Sequence, residues 1–212
     1  LRRVLYGSSL LTPAIQTMAA ALMTGRVPSS WEDVWEGPSS PLAFLQTIVS
    51  RKIALMRWLR RAKNGDLLDS SIDLSELLNP GTFLNAIRQK TARECKCPLD
   101  QLKLVSGWAK ERMKNASPIV VTLTGLLLQG AVLDDDLLND AEINDPELVE
   151  VPNCFIAFVP KKEAFDVADV LSAPVYYTPT RERLLTELCI PIRDSPERWV
   201  MAGVALFLST RS

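Results

Sequence analysis

Five carboxylates fall within nine residues, Asp134, Asp135, Asp136, Asp140 and Glu142, a density that could offer oxygen ligands to a hard cation such as calcium. An EF-hand loop, however, alternates its ligands and needs glycine at its sixth position, where this sequence has Asn139. The cluster therefore reads as a solvated acidic loop. Cys95 and Cys97 form a C-x-C pair, while Cys154 and Cys189 stand alone in apolar runs. Neither spacing matches the C-x-x-C of a redox or zinc site, so four reduced thiols are expected, two of them serving as small core hydrophobes. A carboxylate pair such as Asp169 with Glu182 could carry acid/base chemistry, but nothing in the spacing brings the two together. No catalytic, cofactor-binding or metal-binding residue is assigned.

Absences narrow the chemistry further. The 212 residues contain no histidine, which removes Ser-His-Asp and Cys-His nucleophile pairs, an imidazole base near neutral pH and histidine zinc sites. Nine glycines never form G-x-x-x-x-G-K-[ST] or G-x-G-x-x-G, and none precedes a lysine, so a phosphate-gripping backbone nest is missing. ATP hydrolysis is not expected of these residues. No run reaches the roughly 18 apolar residues that span a bilayer. Ile15–Met23 is short, and Ile119–Leu133 is broken by Gln129 and two glycines. The sequence opens Leu-Arg-Arg without a signal-peptide core, and the expectation is a piece excised from something longer.

The most unusual charge feature is basic. Arg51, Lys52, Arg57, Arg60, Arg61 and Lys63 load one helical stretch that contains no acidic residue before Gly65. This stretch could be a phosphate-backbone stripe for nucleic acid, a docking face for an acidic protein surface, or a solvated face whose long side groups lie over neighbouring apolar surface. The overall balance is near neutral, 24 basic to 25 acidic, but residues 1–117 carry 17 and 10 whereas 118–212 carry 7 and 15. Two electrostatically different halves suit a protein with two faces better than a nucleic-acid binder that is basic throughout. Trp31, Trp35, Trp58, Trp108 and Trp199 lie in different elements, so core and interface burial is expected of them rather than a stacking platform.

These residues sit on two kinds of element. Thr12-Pro13 caps a helix over Ala14–Thr24, stopped by Gly25 and Pro28. Pro41 opens the longest helix, ended by Gly65, whose stripe Leu42, Leu45, Val49, Ile53, Met56 and Leu59 is expected to be its apolar face. A short amphipathic turn, Leu74–Leu78, precedes Asn79-Pro80, which caps a helix burying Phe83, Leu84, Ile87, Thr91 and Cys95 up to Pro98. From about residue 99 the period shortens, and strands are expected at Leu102–Ser106, Ile119–Thr124, Leu126–Val132, Cys154–Val159, Val175–Thr178, Leu184–Ile190 and Trp199–Leu208. Trp108–Asn115 reads as a helical excursion and Asp134–Glu150 as an acidic loop. The fold class is α+β, with a helical subdomain over 1–98 and an antiparallel sheet curled into a sandwich or barrel over 99–212.

An ordered series of motifs resembles the C-terminal region of dynein heavy chains. Pro80, Phe83-Leu84, Gln89 and Ala92-Arg93 match the family's proline, aromatic-aliphatic helix, Gln and Ala-Arg pair, with Asp100 and Leu102 opening the first strand. Thr124-Gly125-Leu-Leu-Leu-Gln-Gly130 is similar to its Gly-Leu-aromatic-Leu-Glu-Gly strand, with Gln129 in place of Glu. Pro174-Val-Tyr176 with Thr178 and Arg181 resembles Pro-Val-Tyr-x-Thr-x-x-Arg, and Trp199 with Gly203-Val-Ala-Leu206 resembles the closing Trp-x-x-x-Gly-Val-Ala-Leu. Upstream, Val27-Pro28, Trp31, Pro41-Leu42 and Trp58 fit the family's loop and following helix. Asp73–Pro80 and Ala205–Leu208 are similar to the intraflagellar-transport cytoplasmic class.

The resemblance implies a helical part followed by an incomplete, six-stranded antiparallel barrel on the face of an AAA+ ring. It implies a regulatory part of an ATP-driven, minus-end-directed microtubule motor, tuning processivity and force. ATP and magnesium would belong to the full-length motor and not to this region. Its partner would be the ring of the same heavy chain, with microtubules and other dynein subunits reached indirectly and neither nucleic acid nor membrane bound. Its place would be the cytoplasm and cytoskeleton, and the cilium or flagellum. Arg51, Lys52, Arg57, Arg60 and Arg61 would form the docking face.

Overall fold

The computed structural model describes residues 3, 6–7, 10–33, 39–108, 117–134, 137–142, 146–162 and 170–209. Trp35, Asp135, Asp136, Asp169 and the excursion expected after Trp108 lie outside the described residues. Helices come first. Thr12 accepts the Ile15 N–H at the start of α1 (Pro13–Met23), whose proline needs no N–H donor there, and a single turn, α2 (Ser29–Glu32), follows. The long helix α3 (Pro41–Asn64) closes where the Asp66 N–H turns back to the Arg61 carbonyl. At α4 (Pro80–Cys95) the Asn79 side chain accepts the Thr82 N–H, and Pro80, Leu84, Ile87, Thr91 and Ala92 are buried.

The polypeptide divides by packing into two units, Leu1–Arg57 and Trp58–Arg211, with the division falling inside α3. This boundary of packing differs from the change of backbone period near residue 98, because α4 belongs to the second unit's core. That single core joins Leu84, Ile87 and Ala92 of α4 to Val121, Leu128, Ile156, Val175, Leu188 and Leu206. In the first unit Trp31 and Phe44 meet with ring centroids 5.8 Å apart.

The strands of the second unit are β1 (Ile72–Asp73), β2 (Leu102–Gly107), β3 (Val120–Thr124), β4 (Leu126–Gln129), β5 (Val132–Asp134), β6 (Leu137–Asn139), β7 (Leu148–Glu150), β8 (Cys154–Pro160), β9 (Val170–Tyr176), β10 (Leu184–Pro191) and β11 (Ala205–Leu208). They form open sheets in the orders β1-β3-β8-β2 and β10-β9-β11-β4-β7, plus the hairpin β5-β6. Pairing is antiparallel except for two short parallel pairs, β1 with β3 and β9 with β11. The expected class, helices and then mostly antiparallel strands, is the one observed, in open sheets rather than a closed barrel. β8 and β11 are buried almost throughout, as suits strands flanked by a neighbour on each side.

Four local expectations change. The run Leu126–Val132 breaks at Gly130-Ala131 into β4 and β5. The acidic segment Asp134–Glu150 contains β6 and β7, each too short for a period of two to register. β9 starts five residues before Val175, through Ser172 and Pro174. Finally, Trp199 is not in a strand, because Ser195-Pro196 starts a helix, α5 (Pro196–Met201), before β11.

The apolar stripe expected on α3 lies on its outer face. Leu42, Leu45, Ile48, Val49, Ile53, Leu55, Met56 and Leu59 are between 38% and 67% exposed. The covered face is Phe44, Thr47, Arg51, Ala54, Trp58 and Arg61, also spaced by threes and fours. Period identified two seams, and aromatic anchoring chose between them. Phe44 and Trp58 each find a ring partner, Trp31 and Phe83 respectively.

Candidate functional site

Two places gather the residues singled out by sequence. The first is α3. Lys52, Arg57 and Arg60 are exposed, whereas Arg51 and Arg61 are half-buried on the covered face, so the five cations do not share one surface. Burial pulls the Arg51 guanidinium below its ordinary pKa, because the charged form loses solvation. What α3 presents outward is an apolar seam interrupted by Lys52 and bordered by Arg57, Arg60 and Lys63. The 3- and 4-residue spacing in the sequence marks the positions of this apolar seam without saying whether the domain itself covers it. The second seam through Phe44, Ala54 and Trp58 is the one that the domain itself covers.

The second place is a corner of the second unit where motif residues remote in sequence meet. Arg181, at φ 58°, donates through Nη2 to the Gln129 side-chain oxygen and to the Gly203 carbonyl, each at 2.7 Å. The Gln129 amide in turn donates to Glu147 at 2.8 Å. A Gln here serves both neighbours, accepting from Arg181 and donating to Glu147, whereas a carboxylate would face Glu147 as a like charge. The Arg181 guanidinium also lies 5.7 Å from the Phe207 ring, against which Tyr176 stacks at 6.0 Å. A Cβ on Gly130 would approach the Ala202 carbonyl to 3.0 Å, so only glycine lets the end of β4 run this close to the backbone before β11.

The remaining motif residues are structural in the same sense. Gly125, at φ 70°, carries no Cβ because one would lie 2.5 Å from the Asp73 carboxylate, which accepts the backbone N–H and hydroxyl of Ser75. Pro80 starts α4, and Phe83 meets Trp58 edge-on at 5.3 Å. Arg93 sits in the last turn of α4, where a cation complements the helix dipole. Gln89 is half-buried on α4, and nothing in the structure explains its choice. Trp199 is buried beneath the Arg198 guanidinium at 5.0 Å, and Arg198 is held by Asp140 and Asp194. That pairing, the Asp140 hydrogen bond first, raises the Arg198 pKa. Asp140, expected in a solvated loop, thus has a cationic partner.

Sequence reasoning missed one junction altogether. The Ser106 hydroxyl accepts the Cys189 N–H at 2.6 Å and donates to its carbonyl at 3.2 Å, joining the edges β2 and β10 of the two sheets through a side chain. No disulfide joins the four cysteines, and burial pushes the Cys154 thiol up to about 12. Between α4 and the strands an open groove of about 220 Å³ is lined by residues including Asn85, Arg88, Phe158 and Thr186. Its Arg88 is occupied, donating through Nε and Nη2 to the Leu99 carbonyl at 3.1 and 2.6 Å. Among the described residues no three Cys, Asp or Glu side chains gather as a metal site. No helix of the described residues is long and apolar enough to cross a membrane. The corner around Arg181 holds distant segments together, and α3 leaves an apolar seam exposed.

Comparison with known proteins agrees with the motif series. The family model described as the C-terminal domain of the dynein heavy chain matches residues 1–208. A cytoplasmic dynein 2 heavy chain 1 of Tripneustes gratilla is 37% identical over 213 residues, covering 100% of this chain and 5% of its own length. The human protein of the same name is 35% identical with the same coverage, and human dynein axonemal heavy chain 9 is 29% identical over 96% of this chain and 5% of its own. This chain therefore spans about a twentieth of the relatives it matches.

Proposed function

The chain belongs to the family of C-terminal domains of dynein heavy chains, and from that premise we propose that it is a non-catalytic regulatory domain, of the intraflagellar-transport class, docking on the AAA+ ring of its own heavy chain. In this reading the heavy chain is an ATP-driven, minus-end-directed microtubule motor, and the domain tunes processivity and force. ATP and magnesium are bound elsewhere in the polypeptide, and microtubules and other dynein subunits are reached only indirectly. The motor works in the cytoplasm and cytoskeleton and in the cilium or flagellum.

The observation that carries this reading is the outward face of α3, a row of exposed leucine, isoleucine, valine and methionine side chains bordered by cations. A soluble monomer rarely leaves so large an apolar row in water, and such rows mark interaction surfaces. Basic side chains around it would orient an acidic counterpart while the apolar row supplied the burial. The lack of histidine and of a phosphate-gripping glycine loop in the sequence supports a part that modulates chemistry performed elsewhere.

The test is direct. The purified domain should neither turn over ATP nor sediment with microtubules, and clear turnover or cosedimentation would count against the reading. In the full heavy chain, removing the domain should change run length or stall force while leaving ATPase activity in place. Unchanged motility would remove the regulatory role.

A further inference from the structure

Resting on the docking just proposed, we infer that the outer seam of α3, Leu42, Leu45, Val49 and Met56 with Lys52 between them, packs against one helix of the same heavy chain whose facing seam is apolar and places an acidic side chain opposite Lys52. Positions 42, 45, 49, 52 and 56 repeat by threes and fours, the spacing by which one helix seats its side chains between those of another. Ile48, Ile53 and Leu55 widen the seam on both sides, and all the apolar members are at least 38% exposed. A flat surface or an extended strand would not select this spacing, whereas a helix crossing at a shallow angle would fill it.

Lys52 sets the chemistry of the partner. It occupies a central seam position, where burying an ammonium is tolerated only opposite a carboxylate. α3 contains no acidic residue to supply one and adds Arg57, Arg60 and Lys63 along its length, so the complementary helix is acidic at the centre and rim of its seam. The same argument disfavours a second copy of α3, which would set Lys52 against lysine and basic rim against basic rim. The relatives matched over all of this sequence are about twenty times longer, since it covers 5% of their length, and that remaining polypeptide is the ready source of such a helix.

A photo-reactive phenylalanine placed in the full heavy chain at Leu45, Val49 or Met56, with exposed Lys103 as an off-seam control, tests the assignment. All three seam positions should give adducts to one helical peptide of the same heavy chain bearing Asp or Glu. Lys52→Glu should lower the Val49 and Met56 yields several-fold, and Lys52→Arg should preserve them. Seam positions that yield no peptide adduct, or adducts to a second copy or another protein, overturn the inference. If the seam fails this way while removal of the domain still alters motility, the regulatory reading stands without it. Adducts as expected with unaltered motility leave the seam standing and remove the regulatory reading.

Discussion

Arg181 shows how a single residue can bind segments that lie far apart in the sequence. Its guanidinium loses two hydrogen bonds and a ring contact on truncation, so Arg181→Ala should cost about 1–3 kcal/mol of stability by denaturant titration. Because its backbone is left-handed at φ 58°, Arg181→Gly should lose about 0.5–1 kcal/mol less than Arg181→Ala despite removing the same contacts. Equal losses would mean that the backbone is not strained in solution. Ser106 makes a comparable case at the junction of β2 and β10, where Ser106→Ala strands the Cys189 N–H and carbonyl and should cost about 1–3 kcal/mol in the same measurement. Cys154 gives a pH dependence with a definite sign. Its folded pKa is raised from 9.0 to about 12, so the unfolded polypeptide releases the proton first and the stabilisation present below pH 9 is lost as pH rises from 9 toward 12. Stability of the natural protein should fall more steeply than that of Cys154→Ala over this window, by up to about 1.4 kcal/mol per pH unit, and parallel curves would refute it.

At the scale of elements, α3 carries two apolar seams, and the sequence pattern is satisfied by burying either. Phe44→Ala empties a position that is 1% exposed and should cost about 3–5 kcal/mol, whereas Val49→Asp on the outer seam should stay within about 0.5 kcal/mol, both read from melting of the isolated domain. The reverse ranking would mean that the helix is rotated about its axis. Element starts were legible wherever a residue caps the helix that follows it, as at Thr12 and Asn79, because those contacts span only three residues. Ser195-Pro196 with Glu197 carried a similar start signal for α5, but the apolar run from Trp199 to Leu208 masked it. β6 and β7 were illegible for a different reason, since three residues give too few alternations to define a face and both lie in acidic sequence.

For the whole molecule, the near-zero net charge resolves into a basic first half and an acidic second half. Arg57→Glu combined with Arg60→Glu should alter motility of the full motor more than its folding, because exposed helix charges contribute little to stability but can set orientation at an interface. A collapse in melting temperature would instead make these charges structural. The family, the order of helices before strands and most element boundaries were determined by sequence alone, since periodicity, caps and turn residues act through neighbours a few positions apart. The side of α3 left in water, the joining of β2 to β10 through Ser106 and the gathering of Gln129, Arg181 and Gly203 were decided only by tertiary structure. The hydrogen bonds at Ser106 and Arg181 link residues separated by 22 to 83 positions, and no local pattern records which distant partner a residue will meet.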